Sequence, residues 1–303
     1  MADPLVTLVT CEDYPNLEED EAGLPDALRA VHVEPQVRSW TDPDMDWSQA
    51  GLCVVRSVRD YAERRGEFLQ WAHSVPKLLN SAKSLEWSTD KHYLRDLGEM
   101  GISIIDTTWL EPDIGLTKMR VNSRIPALAD FVVKPAVSSG GRDMGRYTAI
   151  DGDSRKNGIL HAMELLDEGR SVMVQKYLDA VDKHGEISLI YINGILSHSV
   201  KKNAMLSPLE ETGEEPQEEV VEAAFADQEA WRAGEKIRRV LHQYIHEKQG
   251  LDEQLLFGRF DLIVGDGNYH LMEISLVDAN LYLSSVEGAT EKFAEAIAIR
   301  AHW

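Results

Sequence analysis

Over its first ~85 residues the chain alternates short apolar runs with helix-spaced polar segments, in the manner of βαβ units. The run "LVTLVT" reads as a strand, "CEDYPNLEEDEAG" is polar, and "LPDALRAV" has helical spacing. "PQVRSW" predicts a second strand and "GLCVVRS" a third, unbroken in its apolar character as strands buried on both faces are. "EFLQWAHSV" is helical, and "PKLLNS" reads as a short strand leading out. The pattern predicts a small doubly wound domain, whose ligand crevice lies at the carboxyl ends of its strands. Just past those ends stand Cys11, Glu12, Asp13 and Tyr14, then Arg56 and Ser57, then Asn80. From this set Cys11, Asp13, Tyr14, Arg56 and Asn80 are the candidate substrate contacts.

Farther along, "STDKHYLRDLGEM" predicts a helix capped by Ser88 or Thr89 and ended near Gly101. That start places Lys91 in the first turn, at the positive end of the helix dipole. "ISIIDTTWL", "ADFVVKP" and "SVMVQKYLD" read as strands, the last two separated by the small, flexible and basic "AVSSGGRDMGRY". "EISLIYINGILSHSVKK" is a hairpin in which Asn193-Gly194 suits a type I′ turn, and that register sets Glu186 opposite Lys201. "SPLEETGEEPQEEVVEAAF" is acidic and turn-prone and is expected to be a mobile surface loop. An amphipathic helix follows, with Ile237, Val240, Leu241, Tyr244 and Ile245 on one stripe, and "TEKFAEAIAIRAH" forms a last helix.

The stretch "GRFDLIVGDGNYHLMEIS" predicts a second hairpin carrying one carboxylate on each arm, Asp261 and Glu273. A two-residue Asp266-Gly267 loop sets Asp261 opposite Met272 and turns Glu273 to the other face. A three-residue loop ending at Asn268 sets Asp261 opposite Glu273. The second register separates apolar from polar residues better. It puts Arg259, Asp261, Tyr269, Glu273 and Ser275 on one face and Phe260, Leu262, Val264, Met272 and Ile274 on the other, and it is the expected one. Two adjacent carboxylates repel, and either solvent or a hard dication such as Mg²⁺ relieves them.

Composition narrows the partners. The net charge of −21 argues against nucleic acid or an anionic membrane, while 43% hydrophobic and 27% charged residues are ordinary for a globular chain. No apolar run reaches the ~18 residues of a membrane span. The start "MADPLVTLVT" lacks a basic leader region, and Cys11 and Cys53 have no paired spacing, so a reducing cytoplasm is expected.

"FVVKPAVSSGGRDMGRY" places Lys134 at the end of a buried strand, followed by a Gly/Ser loop with two arginines. Exposed backbone amides and cations together favour phosphate, although the loop is no Walker A sequence. In chain order, a helix-start lysine, a strand-end lysine with its Gly-rich loop, "VQKYL", a Glu-bearing hairpin and an Asp…Glu pair form one family's signature. From Lys91 to Ser275 the chain resembles the ATP-grasp ligases, in the branch of glutathione synthetase and D-alanine–D-alanine ligase. The first ~85 residues resemble the substrate-binding domain that precedes the grasp domain in that family.

The resemblance implies an α/β (α+β) ATP-grasp fold divided at 1–85, 86–180 and 181–303, with ATP and Mg²⁺ as cofactors. Lys91 and Lys134 would hold the ATP phosphates beneath a closing loop of Ser138, Ser139, Gly140 and Gly141. Gln175, Lys176 and Leu178 would meet adenine at the hinge, and Glu186 the ribose. Lys201 or Lys202 would lie near the γ-phosphate, although a Glu186–Lys201 pair is equally able to be structural. Asp261, Glu273 and Ser275 would form the metal site. The family usually has Asn, or in some branches Glu, where this chain has Ser275, so Asp278 or Asn280 would have to complete the shell, or one ion is held weakly. The implied chemistry phosphorylates a carboxylate of a small amino-acid-like substrate and lets a nitrogen displace the phosphate. Arg259, Lys134 and Lys201 would serve the reacting groups, Arg259 at the oxyanion. Cyclisation within one molecule, ligation between two, and a grasp module that binds nucleotide without turnover remain distinct readings. A homodimer is the expected assembly.

Overall fold

A computed structural model describes residues 2–204, 206 and 219–302. The N-terminal unit comprises β1 (Leu5–Thr10), α1 (Leu24–Ala30), β2 (Glu34–Ser39), β3 (Leu52–Val55), α2 (Arg65–Ser74) and β4 (Leu78–Leu79). Its strands are parallel in the order β2-β1-β3-β4, the doubly wound arrangement that the apolar runs predict.

Two short helices follow, α3 (Ala82–Ser88) and α4 (Tyr93–Glu99), where one helix capped at Ser88 or Thr89 was expected. The cap is Ser81, whose hydroxyl accepts the Ser84 N–H, and Ser88 is the last residue of α3. The Ser88 hydroxyl instead accepts the Leu276 N–H at 3.0 Å. Lys91 therefore sits in the turn between the helices rather than in a first helical turn, its own N–H donated to the Ala136 carbonyl.

The central unit contains β5 (Thr107–Leu110), α5 (Lys118–Asn122), β6 (Asp130–Pro135), β7 (Gly145–Thr148), α6 (Gly152–Asp167) and β8 (Val172–Lys176). The strands run antiparallel in the order β5-β8-β6-β7. The end of the basic loop is strand β7, and α6 went unread in the sequence although Asp151 caps it by accepting the Ser154 N–H at 2.7 Å.

The C-terminal unit comprises α7 (Ala180–His184), β9 (Glu186–Ile192), β10 (Ile195–Lys202), β11 (Val221–Ala224), α8 (Gln228–Gln249), β12 (Phe257–Gly265), β13 (Asn268–Ser275) and α9 (Ala289–Ala301). Its sheet has the order β11-β10-β9-β12-β13. Residues 207–218 of the expected acidic loop lie outside the described residues, and its later part is no loop, because 221–224 pairs with β10 as an edge strand. On α8 the predicted stripe buries Ile237, Leu241 and Ile245, while the Tyr244 hydroxyl reaches Asp96. Val6 and Leu8 of β1 and Leu24 and Leu28 of α1 share one core with Ile190, Phe293 and Ile297 of the C-terminal unit. Each such fully buried side chain contributes roughly 1.5–3 kcal/mol, so this apolar contact welds the first and last units together.

Both predicted hairpins form, and both contain a bulge absent from the expected registers. In β9–β10 the Asn193-Gly194 turn is left-handed at both residues, as type I′ requires. One extra residue, Ser197, then shifts the ladder, so Glu186 faces Lys202 and Lys201 faces Ile187. In β12–β13 the loop is the two-residue Asp266-Gly267, not the expected three-residue one. Asp261 nevertheless pairs with Glu273, because Met272 is the extra residue of a bulge. The bulge also changes the faces. Met272 and Ile263 turn toward the same cleft as Asp261 and Glu273, whereas Tyr269 turns away and its hydroxyl binds Asp227, the cap of α8.

Candidate active site

The principal cleft lies between the central and C-terminal sheets and opens toward the residues that follow β3. Its inner end is apolar: Ile105, Tyr177, Val181 and Ile263 pack with Val132, Leu178, Ala204 and Met272. Gln175 lies at the edge of this slot, buried, with its amide donated to the Thr107 hydroxyl at 2.8 Å. Lys176 is exposed at its side chain, so at this position only the backbone of β8 is fixed against the slot. Tyr177 carries the Arg146 guanidinium 3.4 Å above its ring, and Arg146 is anchored by Asp130 and Asp182.

Toward the opening, two lysines meet. Lys134 projects from β6 and is buried, and among the described residues no carboxylate lies within ion-pair distance of it. Burial, and after it the charge of Lys91, pulls the Lys134 ammonium down to about 8. The Lys91 ammonium donates to the carbonyl and hydroxyl of Ser138 at 3.2 and 3.3 Å and lies 3.9 Å from Glu273. Two adjacent buried cations, one without a counter-ion, form a site that an anion stabilises. The fit to a polyphosphate rests on this pair.

The loop beyond β6 is fastened from several sides. Gly140 and Gly141 have φ values of +64° and +71°, which favour glycine. The Tyr61 hydroxyl donates to the Ser138 carbonyl, the Ser139 hydroxyl donates to Asp278 at 2.5 Å, and Arg142 bonds Glu63 and the Arg59 carbonyl.

The opposite wall is the bulged pair of hairpins. Lys202 lies 3.2 Å from Glu186 and 3.3 Å from Asp261, and Arg259 lies 2.9 Å from the same Asp261 oxygen. The Ser188 hydroxyl donates to the other Asp261 oxygen at 2.5 Å. Burial pushes the Asp261 carboxyl up, but Arg259 and Lys202 outweigh it and hold it down at about 2. Burial also opposes ionisation of Glu273, and there Lys91 and Arg259 prevail and keep it below its ordinary value. Burial raises Glu186 despite Lys202. Ser275 donates to Glu273 at 3.2 Å. Gly185, immediately before Glu186, has φ +65° and ψ −162°, and a Cβ there would lie 2.1 Å from the Lys202 carbonyl oxygen. Only glycine lets β9 begin this close to the end of β10.

The structure thus gathers Lys91, Lys134, Ser138, Ser139, Gly140, Gly141, Gln175, Lys176, Leu178, Glu186, Arg259, Asp261, Glu273 and Ser275 around one cleft. Lys201 is not among them. The bulge at Ser197 turns it outward, and Lys202 takes the inner place. Among the described residues no group of three or more metal-ligating side chains occurs. Asp261 and Glu273 face each other as ionised oxygen donors, and Mg²⁺ commonly needs only one or two carboxylates beside substrate phosphates.

The expected substrate residues fare differently. Arg56 is sealed against Glu21 and the Ala279 carbonyl, stacked near Phe257 and Phe293. Asn80 is fully buried, donating to the Phe257 and Leu276 carbonyls and accepting the Leu256 N–H. Cys11 is a core thiol whose ionisation burial opposes, and Cys53 is equally buried and unpaired. Asp13 is exposed, and Tyr14 is partly covered by Arg59; neither reaches the cleft. The residues that do reach it from the N-terminal unit are Arg59 and Tyr61, one turn past β3, and from the far side Asp278. Their position just after "VVRS" was the available signal.

Residues 6–80 match the family described as D-cycloserine synthetase DcsG, N-terminal domain. The chain is 32% identical over 305 residues to the cycloserine biosynthesis protein DcsG of Streptomyces lavendulae, covering 98% of each. The crystal structure of D-cycloserine synthetase DcsG superposes with a TM-score of 0.86 at 30% identity, covering 98% of this chain and 99% of that one. D-alanine–D-alanine ligase from Bacillus anthracis shares the fold at 13% identity and a TM-score of 0.63, with 98% of both chains covered.

Proposed function

The chain belongs to the ATP-grasp ligases, in the D-cycloserine synthetase family, and from that premise we propose that it closes O-ureido-D-serine into D-cycloserine with ATP. The observation that carries this reading is the paired lysines Lys91 and Lys134 facing the ionised pair Asp261 and Glu273 across one cleft.

Residues 1–85 form the substrate unit, 86–180 the unit that closes over the phosphates and 181–303 the unit that holds the metal. The apolar slot of Ile105, Tyr177, Val181 and Ile263 receives the adenine, and the backbone at Gln175–Leu178 meets its edge. Glu186 lies where the ribose leaves that slot, beside Lys202. Lys134 and Lys91 hold the phosphates from above. Asp261 and Glu273, with Ser275 beside them, would hold Mg²⁺, which would supply positive charge between the transferring phosphate oxygens.

The substrate carboxylate attacks the γ-phosphorus and ADP departs, leaving an acyl phosphate. The ureido nitrogen bonded to oxygen then attacks the acyl carbon, closing the ring with loss of phosphate and one proton. Water then cleaves the bond between the ring nitrogen and the carbamoyl carbon, leaving the ring N–H and releasing carbamate, which breaks down to CO2 and ammonia. Arg259 lines the cleft and is held in place by Asp261 and the Asn280 carbonyl, as an oxyanion donor must be. The Ser138–Gly141 loop, pinned by Tyr61 and Arg142, shields the acyl phosphate from water. No described helix is long and apolar enough to cross a membrane, and a cytoplasmic enzyme fits the two unpaired thiols.

The test is incubation with Mg-ATP and O-ureido-D-serine alone, with ADP and D-cycloserine measured together. Equal amounts of both are expected with no added amine. ADP release only after a second amino acid is supplied would make the protein an intermolecular ligase instead.

A further inference from the structure

Among the described residues, five carboxylates line the cleft: Glu186, Glu219, Asp261, Glu273 and Asp278. Four of them already face a cation. Glu186 and Asp261 share Lys202, Glu219 lies 3.9 Å from Lys202 and accepts from the Tyr282 hydroxyl, and Glu273 lies beside Lys91. Asp278 is different. Its two bonds come from neutral donors, the Ser139 hydroxyl at 2.5 Å and the Val58 N–H at 3.0 Å. Among the described residues no Lys, Arg or His nitrogen lies within ion-pair distance of it. The nearest cation, Arg59, is spent on Glu18. A carboxylate accepts about four hydrogen bonds, so two places remain.

The location matches a particular ligand. Asp278 touches the phosphate loop through Ser139 and the N-terminal unit through Val58, at the opposite end of the cleft from the apolar slot. It stands three residues beyond Ser275, on the side of the cleft that meets the N-terminal unit. Its backbone is left-handed, with φ +45°. An uncompensated, partly buried carboxylate beside the reacting end of an amino-acid ligase is a receptor for a cation on the substrate.

We propose that Asp278 binds the α-ammonium of the amino-acid substrate and thereby selects amino acids over other carboxylates. This assignment rests on the ligase reading above. It also removes Asp278 from the metal shell. Substrate binding and loop closure are joined through one side chain, because the carboxylate that meets the ammonium also holds Ser139. In the absence of substrate, burial raises Asp278 to about 7, against the Ser139 hydroxyl and the charge of Arg59, with Glu18 adding to the rise and the Tyr61 hydroxyl nearby. An ammonium needs the ionised form, so its affinity falls as pH drops below 7.

The experiment compares O-ureido-D-serine with 3-(ureidooxy)propanoate, which lacks only the ammonium, in wild type and Asp278→Asn. The expected result is a KM for O-ureido-D-serine raised roughly 10- to 100-fold more than that for the analogue in Asp278→Asn, in which the amide oxygen can still accept from the Ser139 hydroxyl. Wild type gives the same readout without a substitution. Below pH 7 its KM for O-ureido-D-serine rises about tenfold per unit relative to the analogue. Equal losses with both substrates would reduce Asp278 to a structural latch, and a raised Mg²⁺ requirement would make it a metal ligand. If wild type turns over neither compound, it is the ligase reading that fails.

Discussion

The hairpins β9–β10 and β12–β13 lie side by side and are built alike, yet the same device has opposite consequences for reading them. Each closes through a two-residue turn with both residues left-handed, and each then gains one extra residue, Ser197 in the first and Met272 in the second. Counting from the first turn alone sets Lys201 against Glu186, and the bulge replaces it with Lys202. Counting from the second turn alone sets Met272 against Asp261, and the bulge replaces it with Glu273. The pair Asp261–Glu273 was therefore expected for the wrong reason, a longer loop. Turn chemistry is local and legible, whereas a bulge depends on how the sheet must twist over its neighbours. In both hairpins the residue that the bulge brings in belongs to the cleft.

The largest break in this comparison comes from the second hairpin. Asp261→Asn is expected to cut ADP formation about 10²- to 10³-fold, because it removes a charge that would hold Mg²⁺ and unsettles Arg259. Thermal unfolding of the variant should stay cooperative. Turnover within tenfold of wild type would remove Asp261 from the metal site.

The first hairpin is broken through its cation. Lys202→Met leaves Glu186 buried without its cation and Asp261 with Arg259 alone, and should cost about 3–5 kcal/mol, read as a lowered midpoint in urea. Lys201→Met touches an exposed residue and should stay within about 0.5 kcal/mol. Comparable losses in the two variants would mean that the bulge at Ser197 is misplaced.

Gly185→Ala and Gly267→Ala sharpen the contrast between a glycine required by contact and one required by conformation. At Gly267 a Cβ meets nothing, and only its φ of +78° is unfavourable for alanine. At Gly185 the Cβ would also strike the Lys202 carbonyl, so the cost should sit at the upper end of about 1–3 kcal/mol and activity should fall with it.

The mildest effect lies on the facing sheet. Lys134 is held near 8, below an ordinary lysine, and only its protonated form attracts phosphate. Nucleotide binding should therefore take up a proton and weaken about tenfold per pH unit above 8. For the protein without nucleotide the sign is opposite. The charged lysine is penalised by burial, so its share of stability rises as pH climbs from 8 toward the unfolded value. Calorimetry in two buffers of different ionisation enthalpy measures the uptake, and Lys134→Arg should flatten the dependence.

On the substrate side, a residue's place past a strand end did not reveal its direction. Arg56 and Asn80 both point into the joint between the first and last units, where they bind Glu21 and backbone groups of residues 256, 257, 276 and 279. Three residues past Arg56, Arg59 turns into the cleft. Nothing in "VVRSVRDY" distinguishes the two arginines, because the difference lies in Phe257, Phe293 and Ala279, more than two hundred residues away. Helix α6 was missed for a milder reason: its moment is weak, and its Asp151 cap follows directly on a strand that the basic loop concealed.

By itself the sequence determined most of the strands, the Asn193-Gly194 turn and the ordered set of lysines and acids, because period, turn residues and charge are properties of neighbours along the chain. It thereby determined that an ATP-grasp site exists and most of its lining. Only the tertiary structure decided which of two adjacent lysines enters that site, which arginine past β3 reaches it, and that among the described residues no cation lies within ion-pair distance of Asp278. Those choices follow from the twist of one sheet and the packing of one unit on another, and they depend on contacts between residues far apart along the chain.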